Sequence, residues 1–181
     1  MSLKKNQLVR IFAFLMASAI LTPGIGYCLS DEEIFAWVAN QLDINETYSM
    51  PTVNLVDKQG IQKAFVEGNR NGYMRWENQY GKDKADEILK VYLDEIVGLF
   101  NEKSRSIFVA TFMSPCRQQA VLAHEFVHFF QYVTEGPVVP GTFQEDIARM
   151  TREMKAYAIE KRFEEYVCQE DNLPPVASQS P

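Results

Sequence analysis

Histidine and cysteine are scarce in this 181-residue chain, which contains two histidines and three cysteines. An excess of basic charge is also absent, because 18 lysines and arginines stand against 24 acidic residues and the formal net charge is −6. The phosphate backbone of nucleic acids repels such a chain, and no basic stripe interleaved with aromatics occurs. Nucleic acid is therefore not an expected partner, whereas 46% hydrophobic residues suffice for one globular core.

Long apolar runs are absent too, since the longest mainly apolar run, Ile11–Leu21, is too short for a comfortable membrane span. Three basic residues precede this run, and the breakers of "PGIG" follow it. This order is typical of a secretory signal peptide, with cleavage after Gly26 or after Ser30. We predict that residues 1–30 are a signal peptide and that the protein is exported to the periplasm or secreted. An uncleaved N-terminal membrane anchor is the alternative.

The exported part would keep two cysteines, Cys116 and Cys168, in a compartment where disulfides persist. We predict that they form a disulfide; the alternative is two independent small apolar residues. Residues 31–170 are predicted to form a single domain. Residues 171–181 are rich in proline and serine and lack apolar periodicity, which predicts a disordered tail.

Apolar periodicity predicts an α+β fold with a small sheet. Ser30 and Glu33 have capping-box spacing before an amphipathic helix, "MPTVNLVD" alternates like a strand, and "KADEILKVYL" has helical spacing. Residues Ile96–Phe100 and Ile107–Phe112 flank the polar turn "NEKSRS", so we predict that they pair as a hairpin. The aromatic-rich segment "GYMRWENQYG" is interpreted as a loop.

Two long helices are predicted in the second half of the chain. After Pro115 no breaker occurs until Gly136, which predicts a helix of about five turns. The loop "EGPVVPG" then turns the chain, and Thr142 with Glu145 has capping-box spacing at the start of a helix that runs to Val167. The second helix is therefore expected to fold back antiparallel to the first.

Both histidines lie in "AVLAHEFVHFFQ", where apolar residues surround the helix on nearly every side. Such a helix should be buried, and burying ionisable groups without partners costs several kcal/mol. His124 and His128 are four residues apart and project from one face, so their ring nitrogens can converge on one cation. Glu125 is rotated aside, within reach of a water on that cation, as in the H-E-x-x-H pattern. Core histidines bonded to carbonyl groups are the simpler alternative.

A catalytic zinc ion usually has three protein ligands and one water. The extended pattern H-E-x-x-H-x-x-G-x-x-H is excluded, because Gln131 and Thr134 occupy its glycine and third-histidine positions. A carboxylate of the following helix must complete the site, and the candidates are Asp146, Glu153 and Glu160. Glu153 is preferred for its spacing, and because Tyr157 would point at the same metal from one helical turn further on. A surface glutamate is the alternative for Glu153.

The motif "HEFVH" followed by "EMKAY" resembles the gluzincin branch of zinc metallopeptidases, and the short chain with "GLF…IFVAT" resembles the one-domain minigluzincins. The resemblance covers roughly residues 50–167. It implies a minimal zincin-like domain with Zn²⁺ bound by His124, His128 and Glu153. It also implies that Glu125 is the catalytic base, and that Ile107–Phe112 is the edge strand along which an extended peptide substrate lies.

The expected activity is hydrolysis of peptide bonds in a peptide or protein substrate. Glu125 would take a proton from a water activated by zinc, and Tyr157 would stabilise the oxyanion, with Tyr132 as a second candidate. Glu160 or Asp146 would orient a histidine. The competing hypothesis is a non-catalytic secreted zinc-binding or structural protein. A groove open to water along the edge strand would favour the enzyme, and a closed four-ligand site would favour the structural role.

Overall fold

The computed structural model describes residues 29–138 and 143–167, so residues 1–28 of the predicted signal peptide, Thr142 and the predicted tail lie outside the described residues. Six helices and three strands occur within the described part, which confirms the predicted α+β fold. In chain order they are α1 (Asp31–Gln41), β1 (Thr52–Val56), α2 (Lys58–Gly68), α3 (Arg70–Tyr80), α4 (Lys82–Glu95), β2 (Gly98–Asn101), β3 (Ser106–Ala110), α5 (Pro115–Glu135) and α6 (Phe143–Val167). None of the described helices is long and apolar enough to span a bilayer.

Helix α1 begins with the predicted capping box. The Ser30 hydroxyl accepts a hydrogen bond from the Glu33 N–H at 3.2 Å, and the Ser30 N–H donates to the Glu33 carboxylate at 2.8 Å. A serine cap of this kind contributes about 1 kcal/mol. Ile34 and Val38 are fully buried in the same core cluster as α5, so α1 covers one side of the histidine helix.

Between β1 and β2 the chain forms three helices, of which only α4 was predicted. The interpretation of "GYMRWENQYG" as a loop is wrong, because most of this segment is helix α3. The reason is tertiary: Trp76 of α3 stacks on Tyr92 of α4 with ring centroids 5.4 Å apart, and Tyr92 stacks on Phe65 of α2 at 5.6 Å. The aromatic rings therefore stack across the three helices and partly cover one another, which gives α3 tertiary contacts despite its polar composition.

The sheet has the strand order β1-β3-β2, with β1 parallel and β2 antiparallel to β3. The predicted hairpin is thus confirmed, since Gly98 pairs with Val109 and Phe100 with Ile107. The expectation that Ile107–Phe112 forms an edge strand is wrong. Strand β3 is central because β1 pairs with its other side, and a hairpin pattern carries no information about that third strand. Among the described strands, β2 is the edge next to α5.

Helices α5 and α6 run antiparallel, as predicted. Arg117 near the start of α5 pairs with Glu164 near the end of α6, whereas Gln131 donates to the Arg152 carbonyl at 3.1 Å. Helix α6 buries Ala156, Ile159, Glu160 and Phe163, whereas four larger apolar residues along it are exposed: Ile147, Met150, Met154 and Tyr157.

Cys116 is disulfide-bonded, whereas Cys28 and Cys168 lie outside the described residues. Since Arg117 pairs with Glu164, Cys116 is level with position 165, three residues before Cys168 in the sequence. We expect a Cys116–Cys168 disulfide that stabilises the fold by about 2–4 kcal/mol. Mass spectrometry of the purified protein, digested without reductant, checks this pairing. A Cys28–Cys116 peptide would contradict both this pairing and signal cleavage beyond Cys28.

Candidate metal centre

Helix α5 places the two histidines at different depths in the protein. Its segment from Ala120 to Val127 is buried, as the apolar sequence predicted, and His124 itself is only 7% exposed. The side chain of His128 is 19% exposed, so the second imidazole lies at the margin of the core. One ring is therefore inside the core and the other at its boundary with solvent.

The side chains of His124, His128 and Glu153 converge and can hold a metal ion, although the arrangement does not identify which one. The two Nε2 atoms are 3.0 Å apart, and the Glu153 carboxylate oxygens lie 3.5 Å from His124 Nε2 and 3.4 Å from His128 Nε2. Two ligand atoms at roughly 2.0–2.1 Å from a tetrahedral ion are about 3.3 Å apart. Each Nε2 atom has a different Glu153 oxygen at about this separation, and one ligand atom from each of the three residues lies within 4.8 Å of the other two.

The other nitrogen of each imidazole is already engaged. His124 Nδ1 lies 2.7 Å from a Glu160 carboxylate oxygen, which accepts a hydrogen bond from the Nδ1–H group. His128 Nδ1 lies 3.0 Å from the Gln131 side-chain oxygen, and that amide is oriented by its own donation to the Arg152 carbonyl. Both rings thus carry a proton on Nδ1, so the lone pairs of the two Nε2 atoms point at each other. Two lone pairs in this arrangement require a cation between them, either a proton or a metal ion.

The electrostatics of the site favour positive charge. Burial lowers the pKa of His124, but hydrogen bonds with Glu153 and Glu160 outweigh it and raise the pKa to about 9. Burial likewise opposes protonation of His128, yet Glu153 raises its pKa above the ordinary value. The hydrogen bonds with both histidines lower the pKa of Glu153. The pocket therefore binds a proton when it holds no metal ion.

A metal ion must displace this proton in order to bind, so the affinity for the metal should increase with pH. Because the His124 pKa is raised to about 9, the proton stays bound below that pH and competes with the metal. We expect the affinity for Zn²⁺ to rise at least about tenfold per unit between about pH 6 and 8. Competition with a chelator of known affinity measures it. An affinity that does not change over this range would contradict the assignment of His124 as a ligand.

Glu125 is buried beside the histidines, at 6% exposure, and is not one of the three convergent groups. Burial raises the pKa of its carboxyl, and the charges on His128 and His124 oppose this increase. The backbone of Phe100 in β2 also favours the charged form of this carboxylate and so opposes the increase. A carboxyl group with a raised pKa, beside three groups that can hold a metal ion, is suited to accept and donate protons.

Tyr157 lies against the site, as its position one turn after Glu153 suggested. Its ring is 4.7 Å from the His124 ring between centroids, in an edge-on arrangement, and the side chain is 60% exposed. Partial burial and the nearby Glu153 and Glu160 raise the pKa of its hydroxyl, which therefore stays protonated. Tyr132 instead packs on Phe100 at 5.8 Å.

The remaining carboxylate candidates differ in their roles. Glu160 is buried and orients His124, while its other oxygen pairs with Arg117. Burial raises the pKa of Glu160, but its contacts with His124 and Arg117 outweigh this effect and lower the pKa. Glu160 is therefore a carboxylate, which accepts the hydrogen bond from the imidazole. Asp146 is exposed and is not part of the convergent group.

Two partners of the site were not predicted from the sequence. Gln131, which holds His128, was considered only as the residue that breaks the extended histidine motif. Its position three residues after His128, on the same side of the helix, was a signal that could have identified it. Arg117 is seven residues before His124, and only the antiparallel packing of α6 brings it to Glu160.

Comparison of the chain with protein-family models, with curated proteins and with solved structures finds no match. A function for this site must therefore be argued from its own geometry and chemistry.

Proposed function

We propose that the protein is a zinc-dependent metallopeptidase of the gluzincin type, with a minimal zincin-like domain. The observation that carries the proposal is the facing pair of Nε2 atoms, 3.0 Å apart, each with one Glu153 oxygen within 3.5 Å. Two imidazoles and one carboxylate are the ligand set of several catalytic zinc sites. The buried Glu125 beside this set supplies the group that distinguishes a hydrolase from a storage or structural site.

Zinc is proposed over other divalent ions because of the donor types. Neutral imidazole nitrogen is a favourable ligand for Zn²⁺, whereas Mg²⁺ and Ca²⁺ prefer sites built from oxygen. Both histidines are oriented by hydrogen bonds from their second nitrogen, an arrangement that recurs at zinc sites and raises the basicity of the ligand. When bound by three protein ligands, zinc retains a position for water and lowers the pKa of that water to about 7.

In the proposed reaction Glu125 is the general base. Its carboxylate accepts a proton as water attacks the scissile carbonyl carbon, and it later donates that proton to the leaving amine. The raised pKa of Glu125 suits both transfers. Tyr157 donates a hydrogen bond to the carbonyl oxygen as negative charge develops there, because its raised pKa keeps the hydroxyl protonated.

A structural zinc site is the competing proposal, and exposure argues against it. Structural zinc is enclosed by four protein ligands, whereas catalytic zinc keeps an open position. Among the described residues only three groups converge, and the Glu153 and Tyr157 side chains are 51% and 60% exposed. This openness favours a site that a peptide can reach.

Metal analysis of the purified protein, combined with digestion of an unbiased peptide library, tests the proposal. We expect about one equivalent of zinc and hydrolysis that stops when a chelator removes it. Bound zinc without cleavage of any peptide would favour the structural role instead.

Export is also part of the proposal. The basic, apolar and breaker regions of residues 1–30 have the order of a signal peptide, and the disulfide at Cys116 is of the kind that persists in oxidising compartments. The substrate is then a peptide or protein outside the cytoplasm.

A further inference from the structure

Strand β2 lies directly over the face of α5 that carries Glu125. Gly98 is opposite Val121 and Glu125, and Phe100 packs edge-on against Phe129 with ring centroids 5.9 Å apart. This face of α5 is otherwise apolar, because Glu125 is flanked one turn away on each side by Val121 and Phe129. A carboxylate here needs space and a hydrogen-bond donor from the strand above it.

Gly98 provides the space. A Cβ atom at this position would lie 2.5 Å from a Glu125 carboxylate oxygen and 2.5 Å from Val121 Cγ1, both closer than van der Waals contact permits. Gly98 itself is in the ordinary extended strand, so its backbone does not require glycine for a positive φ. The requirement for glycine comes from the carboxylate and the valine beneath it.

Phe100 provides the donor. The Ala110 N–H donates to the Val97 carbonyl. In an antiparallel pair the hydrogen-bonded residues alternate, so Val97, Leu99 and Asn101 direct their backbone groups at β3. Phe100 falls in the alternate set, and its N–H therefore points away from β3. The backbone of Phe100 favours the charged form of the Glu125 carboxylate, so we expect this N–H, which β3 does not use, to be the donor that the carboxylate needs.

We propose that Gly98 is a positioning residue for the candidate base: it admits the carboxylate of Glu125 under β2, where the Phe100 N–H fixes it beside the metal ligands. The proposal concerns a residue of the site assigned above, and its catalytic consequence rests on the proposed function. Its structural part, the Glu125–Phe100 hydrogen bond, can be measured without any substrate.

The test is Gly98→Ala, with amide hydrogen exchange as the first readout. The Phe100 amide should exchange at least about tenfold faster, relative to Leu99, whose amide lies on the paired side of β2. In the Glu125→Ala variant the Phe100 amide should already exchange rapidly. Adding Gly98→Ala to that variant should not increase the exchange rate of Phe100 further. Gly60→Ala is the matched control, since a Cβ there would also be crowded, 2.8 Å from Val56 Cβ, but away from Glu125.

The second readout is hydrolysis by the zinc-loaded protein. Gly98→Ala should lower kcat at least about tenfold with little change in KM and unchanged zinc content, because misplacing a general base affects the chemical step. If the single variant does not fold, Gly98→Ala with Val121→Ala removes the aliphatic clash and leaves the clash with the carboxylate. The same rapid Phe100 exchange is expected from it.

Wild-type exchange at Phe100 in Gly98→Ala would overturn the proposal, and so would rapid exchange with unchanged kcat. A wild-type protein without hydrolytic activity would refute the proposed function. The exchange of Phe100 would then still decide whether Gly98 positions Glu125.

Discussion

Replacing Glu125 by glutamine should reduce peptide hydrolysis by at least about 100-fold, since general acid–base catalysis contributes about 10²–10⁴-fold. Glutamine has nearly the same shape and keeps a side-chain oxygen that can accept a hydrogen bond, but it cannot take a proton from water. Because Glu125 is outside the convergent ligand group, zinc content should be unchanged. Initial rates on a peptide cleaved by the wild type, with metal analysis of the same samples, measure both effects.

Glu67→Gln is a suitable control for this substitution. Glu67 is exposed on α2, pairs with Lys63 of the same helix, and does not belong to the convergent group. It undergoes the same chemical change without touching the reacting region, so its rate should equal that of the wild type. Equal turnover by wild type and Glu125→Gln would refute the hydrolase proposal, whereas loss of zinc in Glu125→Gln would make Glu125 a ligand.

Removing the Glu153 carboxylate should cause the largest loss of metal. Glu153→Ala deletes both oxygens near the histidine Nε2 atoms, so affinity for Zn²⁺ should fall by more than the roughly 10–100-fold that is typical of an outer-shell partner. Glu160→Ala removes only the group that orients His124 Nδ1, and its loss should be within that range. Competition titrations with a chelator, at one pH, compare the two.

Both variants should remain folded, but for different reasons. Glu153 is half exposed, so its loss leaves no buried cavity, whereas Glu160 is buried and its removal leaves Arg117 with Glu164 as its remaining partner. Circular dichroism and thermal unfolding of the metal-free proteins check this point. If metal content ranks the two variants in the opposite order, Glu160 is the ligand and the assignment of Glu153 is wrong.

The two substitutions separate binding from chemistry. Glu125→Gln should retain zinc and lose activity, whereas Glu153→Ala should lose zinc first and activity as a consequence. Raising the zinc concentration should therefore restore some activity to Glu153→Ala and none to Glu125→Gln. A structural zinc protein would show the metal effect of the second variant without any catalytic effect of the first.

Local sequence determined the histidine helix. His124 and His128 are four residues apart, and helical geometry alone places residues at that spacing on one face. The apolar residues around them predicted burial for the same local reason, because a helix that is hydrophobic on nearly all sides has no face to present to water. The capping box at Ser30 and the hairpin of β2 and β3 were predictable from contacts between residues close in the chain.

Tertiary structure alone decided which carboxylate lies by the histidines and which strand lies at the edge. Asp146, Glu153 and Glu160 project from neighbouring parts of one helix, and only the register of α6 against α5 places Glu153 at the Nε2 atoms and Glu160 at Nδ1. The pairing of β1 with β3 likewise joins residues more than fifty positions apart. Helical and strand periodicities describe a single element, whereas the register between distant elements depends on how their side chains pack, and no local pattern encodes that.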